Sequence, residues 1–450
     1  MITAGFINQI GLGTLRNFNS AISSVTIDSR KVTTGSMFFA FKGEKVDGHH
    51  YLNSAIRQGA ALCVVSQEWA DQNTDSSLPL WIVESPETAL QQLALHWRRE
   101  YKIPVLAITG TNGKTTTRAM CQAILRKHYL LHSTSGNFNN QLGLPLTLLS
   151  LTAEHTFSLL ELGSNHFGEI NFLCRICQPT AGLITNIGYG HIEFFKDLAG
   201  VLKAKKELFD SLPVNGISFI NQDDEMLATL KPATKIVTYG LDRQDADYRG
   251  KIITYDQNAC GTLQVNEDVI IHLKVPGKPM VQNALAAAAV ARTYDIIWSN
   301  IKSALESFAA VNQRFVVKQY RNCRIINDAY NANPTSTAAA IETFAQMNVP
   351  GRRIFVFGDM RELGTISEVS HREIGKKVTA APIDCFYTYG PLAELAAKEA
   401  LKGGSQQVRS FRDKQELLAG LKKDTLKTDT ILFKGSRANR LEDIIEGIIS

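Results

Sequence analysis

Short apolar runs alternate with helical patterns along the whole chain. Over residues 1–85, β-branched and aromatic residues are concentrated in the runs SVTIDSR, SMFFAFKG, ALCVVS and LWIVE, and this composition favours strands. The segment YLNSAIRQG, which lies among them, has the spacing of a helix. The pattern predicts a small α/β domain that ends near Ser85–Pro86.

Residues 86–311 predict a larger central domain. The runs PVLAIT, TFSLLEL, AGLITNIG, GISFINQ and KIVTYG are continuously apolar and are separated by helical stretches, as expected of a parallel sheet covered on both faces. The more alternating stretch KIITYDQNACGTLQVNEDVIIHLKVPG predicts a small antiparallel addition. Two helices, one from Asn283 and one from Ile301, are expected to close the domain.

The pattern restarts over residues 312–450. Strands are predicted for CRIIND, RRIFVFGD, CFYTYG and TILFKGS, and each is followed by a helical segment. We therefore predict an α/β protein of three domains: a small N-terminal α/β domain, a central domain built on a parallel sheet, and a C-terminal Rossmann-like domain with its own sheet.

Composition and charge describe an ordinary globular chain. Hydrophobic residues make up 44% and charged residues 20%, and the net charge of +5 comes from scattered Lys and Arg, so nucleic acid is not an expected partner. A signal peptide is not visible, and the longest small apolar run, ALAAAAVA, is too short to cross a bilayer. We expect a cytoplasmic protein without membrane insertion.

The 7 cysteines include one close pair, Cys174 and Cys177 in CRIC. An odd total without disulfide-like spacing fits a reducing compartment. A lone C-x-x-C is weak evidence for zinc, and the surrounding EINFLCRICQP is typical of a helix, so we interpret both cysteines as buried thiols.

Residues 108–117, ITGTNGKTTT, form a shortened version of a phosphate-binding loop. Only Thr111 and Asn112 separate Gly110 from Gly113, where the usual pattern has four residues before its Gly-Lys-Ser/Thr. The loop nevertheless follows an apolar strand and opens a helix, whose N-terminus and backbone N–H groups attract phosphate. The alternative is a plain turn with a solvated lysine. We predict ATP binding by Gly110, Thr111, Asn112, Gly113, Lys114, Thr115 and Thr116, with Lys114 on the outer phosphates and the Thr115 hydroxyl on magnesium.

Three further residues of the central domain suggest metal chemistry. Glu161 lies near the end of an apolar strand, where a carboxylate is costly unless it is paired or metal-bound. His191 follows the next strand; a lone histidine is usually structural, but its place at the same sheet edge favours a role in the site. Lys205 lies within the apolar stripe of the helix in DLAGVLKAKKELFDSL, for which Asp197 is the predicted N-cap. Lys205 either extends its amine to solvent along an apolar stem, or has a lowered pKa that leaves a nucleophilic neutral amine able to form a carbamate with carbon dioxide.

These motifs together resemble a known family. The segments AITGTNGKTTT, LLELGSNHFGEI, NIGYGHIEFF with KAKKELF, QNALAAAAVA, INDAYNANPTS and FGDMRELG are similar to those of the Mur ligases, the ATP-dependent amide-forming enzymes of bacterial peptidoglycan precursor synthesis. The similarity extends over nearly the whole chain. Within the family it is greatest, in NDAYNANPTS, GNFNNQLGLPLTLL and GDMRELG, to the member that joins D-alanyl-D-alanine (D-Ala-D-Ala) to UDP-N-acetylmuramoyl-tripeptide.

The resemblance implies a mechanism and a set of catalytic residues. ATP would convert the terminal carboxylate of the tripeptide to an acyl phosphate, which the amine of D-Ala-D-Ala would attack. Lys114 would stabilise the phosphates, Thr115 and Glu161 would hold one magnesium ion, and His191 with carbamylated Lys205 would hold a second. By the same resemblance Asn283 would contact adenine, Arg314 the ATP phosphates and Asp328 the ribose.

The resemblance also implies where the substrates bind. The UDP-sugar would contact the N-terminal domain, and a loop of the central domain would face the substrate. The residues expected in these two regions are Ser29, Arg30, Lys42, Asp47, Asn137 and Asn140. D-Ala-D-Ala would bind the third domain near Asn331, Asn333, Asp359 and Ser436. For any one of these residues, a surface hydrogen-bonding role is the alternative.

One segment departs from the family pattern. Where the family usually reads Gly-x-His-Asn, this chain reads GKPMVQN, so the nucleotide contacts normally made at Pro279 and Met280 are in doubt. We expect a monomer, although the sequence does not determine the oligomeric state, and we expect substrate binding to swing the last domain about a hinge over residues 311–314. The sequence leaves the third residue of the tripeptide, lysine or diaminopimelate, undetermined.

Two alternatives are weighed against this prediction. A nucleotide-binding switch or assembly protein would use the phosphate loop for binding alone. Among enzymes, the family member that adds the third peptide residue, or a folylpolyglutamate synthetase-like ligase, shares the ATP machinery. The family member that adds the third peptide residue usually carries an Asp-Asn-Pro-Arg-type motif. This chain has no such tetrapeptide, and YTYGPLAELA occupies roughly its place.

Overall fold

A computed structural model describes residues 1–44, 46–73, 77–241, 243–310, 313–320 and 323–449. Within these residues the strands form sheets of two, five, nine and six strands. The predicted hinge falls partly on residues 311 and 312, which lie outside the described residues. Among the helices of the described part of the chain, none has the length and apolar character needed to cross a membrane.

The N-terminal domain is a small sheet with short helices. Its strands are β1 (Ile2–Thr3), β2 (Thr14–Arg16), β3 (Ala21–Ile22), β4 (Ser24–Thr26), β5 (Ser36–Phe39), β6 (Ala60–Ser66) and β7 (Leu80–Val83). Its helices are α1 (Ala4–Ile10), α2 (Leu52–Arg57) and α3 (Gln67–Gln72), followed by α4 (Pro86–Arg99). The main sheet has the order β2-β7-β6-β5-β4, and all its neighbours except β2 and β7 are parallel. The predicted strands of this domain are confirmed.

Helix α4 connects the first domain to the second. The Ser85 hydroxyl accepts a hydrogen bond from Thr88 N at 3.2 Å, and Pro86 occupies the first turn, so the helix begins where a cap and a preset φ favour it. One apolar core extends across α4, because it contains Trp81 of the first domain, Leu93 of the helix and Leu148 of the second domain. The two domains therefore share buried surface.

The central domain is built on a parallel sheet with an antiparallel extension. Its strands are β8 (Val105–Thr109), β9 (Leu131–Ser133), β10 (Phe157–Glu161), β11 (Ala181–Ile184), β12 (Ile217–Asn221), β13 (Lys235–Leu241), β14 (Tyr248–Tyr255), β15 (Cys260–Val265) and β16 (Val269–Pro276). Its helices are α5 (Lys114–Leu125), α6 (Gly143–Leu148), α7 (Glu169–Cys177), α8 (Ile192–Phe195), α9 (Leu198–Asp210), α10 (Lys278–Thr293) and α11 (Trp298–Glu306). The strand order is β16-β15-β14-β13-β12-β11-β8-β10-β9, with β15 antiparallel to both β14 and β16.

Both faces of the central sheet are covered, as predicted. Val105 and Ala107 belong to one core, and Leu106 and Ile108 belong to the core on the other face, because alternate residues of a strand point to opposite sides. The predicted starts of the two closing helices were wrong. Helix α10 begins at Lys278, after Gly277 at φ 98° and with Pro279 in its first turn, and α11 begins at Trp298.

The C-terminal domain has its own sheet and two cores. Its strands are β17 (Val316–Gln319), β18 (Arg324–Asp328), β19 (Arg353–Gly358), β20 (Cys385–Tyr389), β21 (Val408–Phe411) and β22 (Thr430–Lys434). Its helices are α12 (Pro334–Gln346), α13 (Ser367–Ala380), α14 (Ala393–Lys402), α15 (Lys414–Asp424) and α16 (Leu441–Ile449). The order is β17-β18-β22-β19-β20-β21, parallel except for β17 against β18. The predicted α/β architecture is confirmed, while the domain boundaries at 85 and 311 stay predictions.

Candidate functional site

The centre of the nine-stranded sheet of the central domain brings the phosphate loop and Glu161 together. Strand β8 lies between β10 and β11, and the register pairs Glu161 with Ile108 and Ile184 with Thr109. The phosphate loop, Glu161 and Asn186, which follows β11, therefore lie side by side. In open parallel sheets, ligands usually bind beyond the carboxyl ends of the strands, at the point where the strand order reverses.

A cavity of about 1000 Å³ opens above this edge, between the central and C-terminal domains. Most of the predicted catalytic and nucleotide-binding residues line it. The predicted residues that line the cavity are Thr111, Asn112, Gly113, Lys114, Thr115, Thr116, Asn140, Glu161, His191, Asn283, Arg314, Asp328, Asn331 and Asn333.

The shortened loop makes a tight turn that depends on both of its glycines. Gly110 has φ 136°, and a Cβ there would lie 2.0 Å from Thr185 Oγ1. Gly113 has φ 82° and immediately precedes α5, so the helix N-terminus has no side chain on its cap. The first N–H groups of such a helix are available to an anion. The loop therefore has the local geometry of a phosphate site.

Lys114 is folded back onto the loop that carries it. Its Nζ donates to the carbonyls of Gly110 at 2.8 Å and Thr111 at 3.1 Å. Burial lowers the pKa of Lys114 to about 8. The side chain lines the cavity, and a phosphate oxygen would compete with these carbonyls for its amine.

Glu161 is a buried carboxylate surrounded by donors. It is 2% exposed, and its Oε1 accepts hydrogen bonds from Thr115 Oγ1 and Asn139 Nδ2, both at 3.0 Å. Arg118 Nε donates to its Oε2 at 3.3 Å, and Arg314 Nη2 donates to Thr115 Oγ1 at 2.9 Å. Hard oxygen ligands for a cation thus converge beside the phosphate loop.

Lys205 buries its amine instead of extending it to solvent. The residue is 2% exposed, and Nζ donates to the hydroxyl of Ser164 at 2.7 Å. Burial, with a smaller contribution from the charge of Lys114, lowers the pKa of Lys205 to about 7. Asp197 caps this helix as predicted, through Gly200 N at 2.7 Å.

His191 contacts a residue of the C-terminal domain. Its Nδ1 contacts Glu362 Oε2, and this contact holds the pKa of Glu362 below its usual value. The Phe195 ring lies 6.5 Å from the His191 ring and 5.6 Å from Lys205 Nζ, so both predicted ligands of a second metal are beside one aromatic ring. Glu362 lies in the quoted FGDMRELG motif but was not singled out.

The C-terminal domain supplies a polar wall opposite the loop. Lys434 Nζ donates to Asp328 Oδ2 at 2.7 Å and to the carbonyl of Asn331 at 3.1 Å, and Phe315 N donates to Asp328 Oδ1 at 3.1 Å. Lys434 ends β22 and lines the cavity, yet no local pattern distinguished it from other strand-end residues. Asp328 is thereby held in a fixed orientation at the cavity.

The GKPM segment, which departs from the family pattern, forms an apolar wall of the cavity. Pro279 and Met280 line the cavity, and Met280 packs against the cores of both the central and the C-terminal domains. Asn283 is buried in the second turn of α10, where its Oδ1 accepts from Thr117 Oγ1 at 3.1 Å. The asparagine thus ties α10 to the phosphate-loop helix.

Several predicted residues lie elsewhere. Asp359 is fully buried and accepts from the N–H groups of Leu392 and Ala393 at the start of α14, while Ser436 Oγ accepts from Arg361 N at 2.9 Å. Predicted residues that are outside the described cavity lining are Gly110, Asn137, Lys205, Asp359, Ser436, Ser29, Arg30, Lys42 and Asp47.

The predicted UDP-sugar residues make local contacts on the first domain. Asp47 accepts from His49 N at 2.9 Å and contacts His49 Nδ1 at 2.6 Å. Arg30 pairs with Asp28 at 2.8 Å, and Lys42 lies 3.4 Å from Glu68. Ser29 begins the short helical turn Ser29–Lys31. Their proposed role in substrate binding stays a prediction.

The CRIC cysteines are packed inside the protein. Cys174 and Cys177 are 3% and 0% exposed, within the apolar core beneath α7. The hydrogen bond with Cys177, together with burial, raises the pKa of Cys174 well above its usual value. The interpretation of buried thiols is confirmed.

Family models match all three parts of the chain. The Mur ligase family catalytic domain matches residues 21–98, the Mur ligase middle domain matches residues 108–291, and the Mur ligase glutamate ligase domain matches residues 313–437. The three matches follow one another in the order of the three domains of the fold.

Full-length relatives and solved structures agree with these matches. A UDP-N-acetylmuramoyl-tripeptide–D-alanyl-D-alanine ligase of Bacillus subtilis is 34% identical over 448 residues, which is 98% of this chain and 97% of the relative. A crystal structure of MurF from Acinetobacter baumannii has a TM-score of 0.88 at 29% identity, covering 99% of this chain and 98% of that one. MurF of Thermotoga maritima, solved in complex with ADP, has a TM-score of 0.81 at 27% identity and covers 94% and 96%. The chain therefore belongs to the Mur ligase family, in its MurF branch.

Proposed function

We propose that this protein is an ATP-dependent ligase that joins D-Ala-D-Ala to UDP-N-acetylmuramoyl-tripeptide in peptidoglycan precursor synthesis. The activity of the Bacillus subtilis relative, whose match covers 98% of this chain, supports this substrate pair. The main structural support for ATP chemistry is that the Gly-Lys-Thr segment of the phosphate loop lies beside the buried Glu161, in a cavity between two domains.

The reaction has two steps. The terminal carboxylate of the tripeptide attacks the γ-phosphorus of ATP, which releases ADP and leaves an acyl phosphate. The free amine of D-Ala-D-Ala then attacks the acyl carbon, the carbon–oxygen bond to phosphate breaks, and the amine loses a proton as the amide forms. The first step brings an anion to a polyanion, so its barrier is largely electrostatic.

The residues of the cavity would lower this electrostatic barrier. Lys114 would leave the loop carbonyls and contact the transferring phosphoryl group, and Arg314 would reach the phosphates from the other domain. Asn283 would contact the adenine, and Asp328, held by Lys434, would contact the ribose. Asn331 and Asn333 lie on the opposite wall, where we expect the acceptor dipeptide, together with Asp359 and Ser436 behind it.

A magnesium ion fits the oxygen donors on Thr115 and Glu161. Their oxygens are 3.0 Å apart, and Glu161 is a buried carboxylate, which favours a cation beside it. Bound there, magnesium would neutralise phosphate charge during transfer. We expect a second magnesium at His191 and a carbamate on Lys205. The Ser164 hydroxyl, which accepts a hydrogen bond from Lys205 Nζ, is uncharged and therefore does not hold the amine in its charged form as a carboxylate would. The neutral amine would add to carbon dioxide and lose a proton to form the carbamate.

Mass spectrometry tests the function directly. Protein is mixed with Mg-ATP, UDP-N-acetylmuramoyl-tripeptide and D-Ala-D-Ala, and the expected result is a pentapeptide product with matching release of ADP and phosphate. Joining of a single amino acid instead would indicate a different member of the family. Slow ATP hydrolysis that does not depend on the peptide partners would indicate a nucleotide-binding switch.

The finer predictions concern the surroundings of the enzyme. We expect small-molecule substrates, a cytoplasmic location and a monomer. The preferred third residue of the tripeptide, lysine or diaminopimelate, is read from the same experiment by supplying each tripeptide in turn.

A further inference from the structure

We propose that Arg118 is a positioning residue that fixes the orientation of the Glu161 carboxylate for metal binding. Arg118 lies in α5, one turn after Lys114, and is 7% exposed. A guanidinium is rarely buried to this extent unless its donors are paired. The proposal rests on the proposed function, because it takes Glu161 to be a metal ligand.

The contacts of Arg118 are made to one carboxylate oxygen and to a neighbour on the same helix. Nε donates to Glu161 Oε2 at 3.3 Å, and Nη1 donates to Gln122 Oε1 at 3.1 Å. Gln122 lies one turn further along α5 and holds the guanidinium through a second nitrogen, Nη1. The arginine is thereby fixed at both ends of its planar group.

The two oxygens of Glu161 have different environments. Oε1 accepts hydrogen bonds from Thr115 and Asn139, both at 3.0 Å, whereas the contact described for Oε2 is the one with Arg118. Without Arg118 the carboxylate would be held only through Oε1, by Thr115 and Asn139, and Oε2 would lose the partner described for it. With it, Oε1 stays directed at the Thr115 hydroxyl, the other oxygen of the metal site.

Arg118 lies outside the described lining of the cavity. Thr115 and Glu161, in contrast, line the cavity. Thr115 and Arg118 are three residues apart on α5, so both project from the same face of the helix towards the end of β10. Arg118 therefore contacts Glu161, the expected metal ligand, and does not reach the space where substrate would bind. This makes it a positioning residue and not a catalytic one.

Two opposing effects decide what its removal does. A cation beside a metal site repels the metal, so its loss could tighten binding. Its loss also leaves a buried carboxylate with an unpaired oxygen, and removing the outer partner of a metal ligand typically weakens metal affinity by about 10–100-fold. Because the carboxylate is 2% exposed and water cannot readily replace the arginine, we expect the second effect to dominate.

Titration with Mn²⁺ tests the proposal without turnover. Free Mn²⁺ is followed by electron paramagnetic resonance in the presence of a non-hydrolysable ATP analogue. The Arg118→Gln variant should raise the apparent dissociation constant by about 10-fold or more, and Arg118→Lys, which retains the cation, should recover part of that loss. Arg126→Gln, at an exposed arginine that follows the same helix, is the matched control and should behave as wild type.

Kinetics give an independent readout. In Arg118→Gln the KM for magnesium should rise more than kcat at saturating magnesium falls, since the ligand remains and its orientation is lost. Unchanged or tighter Mn²⁺ binding in a folded Arg118→Gln variant would overturn the proposal. If that variant fails to fold, Gln122→Leu retains the charge and releases the guanidinium, and it should weaken Mn²⁺ binding several-fold. Wild-type affinity in that variant would likewise overturn it.

The same experiments separate this proposal from the proposed function. A wild-type protein that binds Mn²⁺ in an Arg118-dependent way but yields no pentapeptide would refute the ligase function and leave the positioning role intact. If the wild-type protein yields pentapeptide while Arg118→Gln binds Mn²⁺ normally, the ligase function stands and the positioning role is refuted.

Discussion

Asn112 of the phosphate loop and Asn333 of the C-terminal domain exchange hydrogen bonds through their side-chain amides. Asn333 Nδ2 donates to Asn112 Oδ1 at 2.8 Å, and Asn112 Nδ2 donates to Asn333 Oδ1 at 3.4 Å. Asn333 is also the N-cap of α12, where its Oδ1 accepts from Ser336 N at 2.9 Å. One side chain thus joins the start of a C-terminal helix to the loop that would hold ATP.

We expect Asn333→Ser to loosen the contact between the two domains while keeping α12 intact. Serine is an equally good N-cap but is too short to reach Asn112. The KM for ATP should rise several-fold, and the melting temperature should stay close to that of wild type. X-ray scattering should show a larger radius of gyration for the ligand-free variant. An unchanged radius and KM would mean that the amide pair does not control the cleft.

Scattering of the wild-type protein tests domain closure as well. The curve of the ligand-free protein is compared with that of a complex with ATP analogue, tripeptide and dipeptide. Ligands that contact both walls of the cavity should draw them together and exclude water from the acyl phosphate, so the radius of gyration should fall. The same radius in both states would argue against closure.

Replacing Lys114 with alanine should remove phosphoryl transfer. Removing one preorganised protein group that stabilises the charge of the transition state typically lowers kcat by about 10²–10³-fold. Binding of the UDP-sugar should be unaffected, because it is expected on the first domain. Calorimetric titration with the UDP-sugar serves as the check: loss of both activities would indicate misfolding instead of a catalytic defect.

Replacing Lys205 with alanine should abolish ligation, and millimolar acetate should restore part of it. Acetate can occupy the space of the lost side chain and supply the carboxylate that a carbamate provides. Lys206→Ala is the matched control, because Lys206 is the next residue and forms a partly exposed pair with Asp210. A fully active Lys205→Ala variant, or one that acetate does not affect, would count against the carbamate.

Stability should fall below about pH 6.5 because of a buried histidine on β9. His132 is 3% exposed, and its nitrogens contact Ser158 Oγ and the carbonyl of Thr147. Burial lowers the pKa of His132 to about 4. Between about pH 6.5 and about pH 4 the unfolded chain binds a proton that the folded chain does not, so the free energy of unfolding should drop by about 1.4 kcal/mol per pH unit.

Denaturant unfolding across this pH range measures the effect of His132. His132→Gln should be less stable at neutral pH and should show a shallower slope between pH 6.5 and 4. The exposed His50, replaced by glutamine, provides the control and should retain the wild-type slope. Equal slopes in wild type and His132→Gln would show that other groups dominate acid unfolding.

Local sequence patterns were sufficient for the elements and for part of the site. The strands β8, β10 and β11 are continuous apolar runs because both of their faces are buried, and this made the parallel sheet predictable. The helical stripe around Lys205 likewise predicted a lysine on the inner face of α9, and its amine is buried. In each case the signal is a local periodicity that does not depend on distant residues.

The start of α10 was missed for a local reason of another kind. The apolar run ALAAAAVA is its most visible part, but the helix starts earlier, at Lys278, where Gly277 adopts a positive φ and Pro279 favours a first turn. A glycine followed two residues later by a proline is typical of a loop when periodicity alone is considered. Helix ends depend on caps more than on apolar spacing.

By itself, the sequence determined the α/β class, the three-part division, the phosphate loop and the identities of Lys114, Glu161, His191 and Lys205 as candidates. Tertiary structure alone decided their partners: Arg118 and Asn139 on Glu161, Glu362 on His191, and Asn333 on Asn112. These pairs are separated by 22 to 221 positions in the chain, and no local period encodes them. Apolar periodicity specifies which face of an element is buried, whereas a polar contact depends on how separate elements dock, and docking is a property of the whole fold.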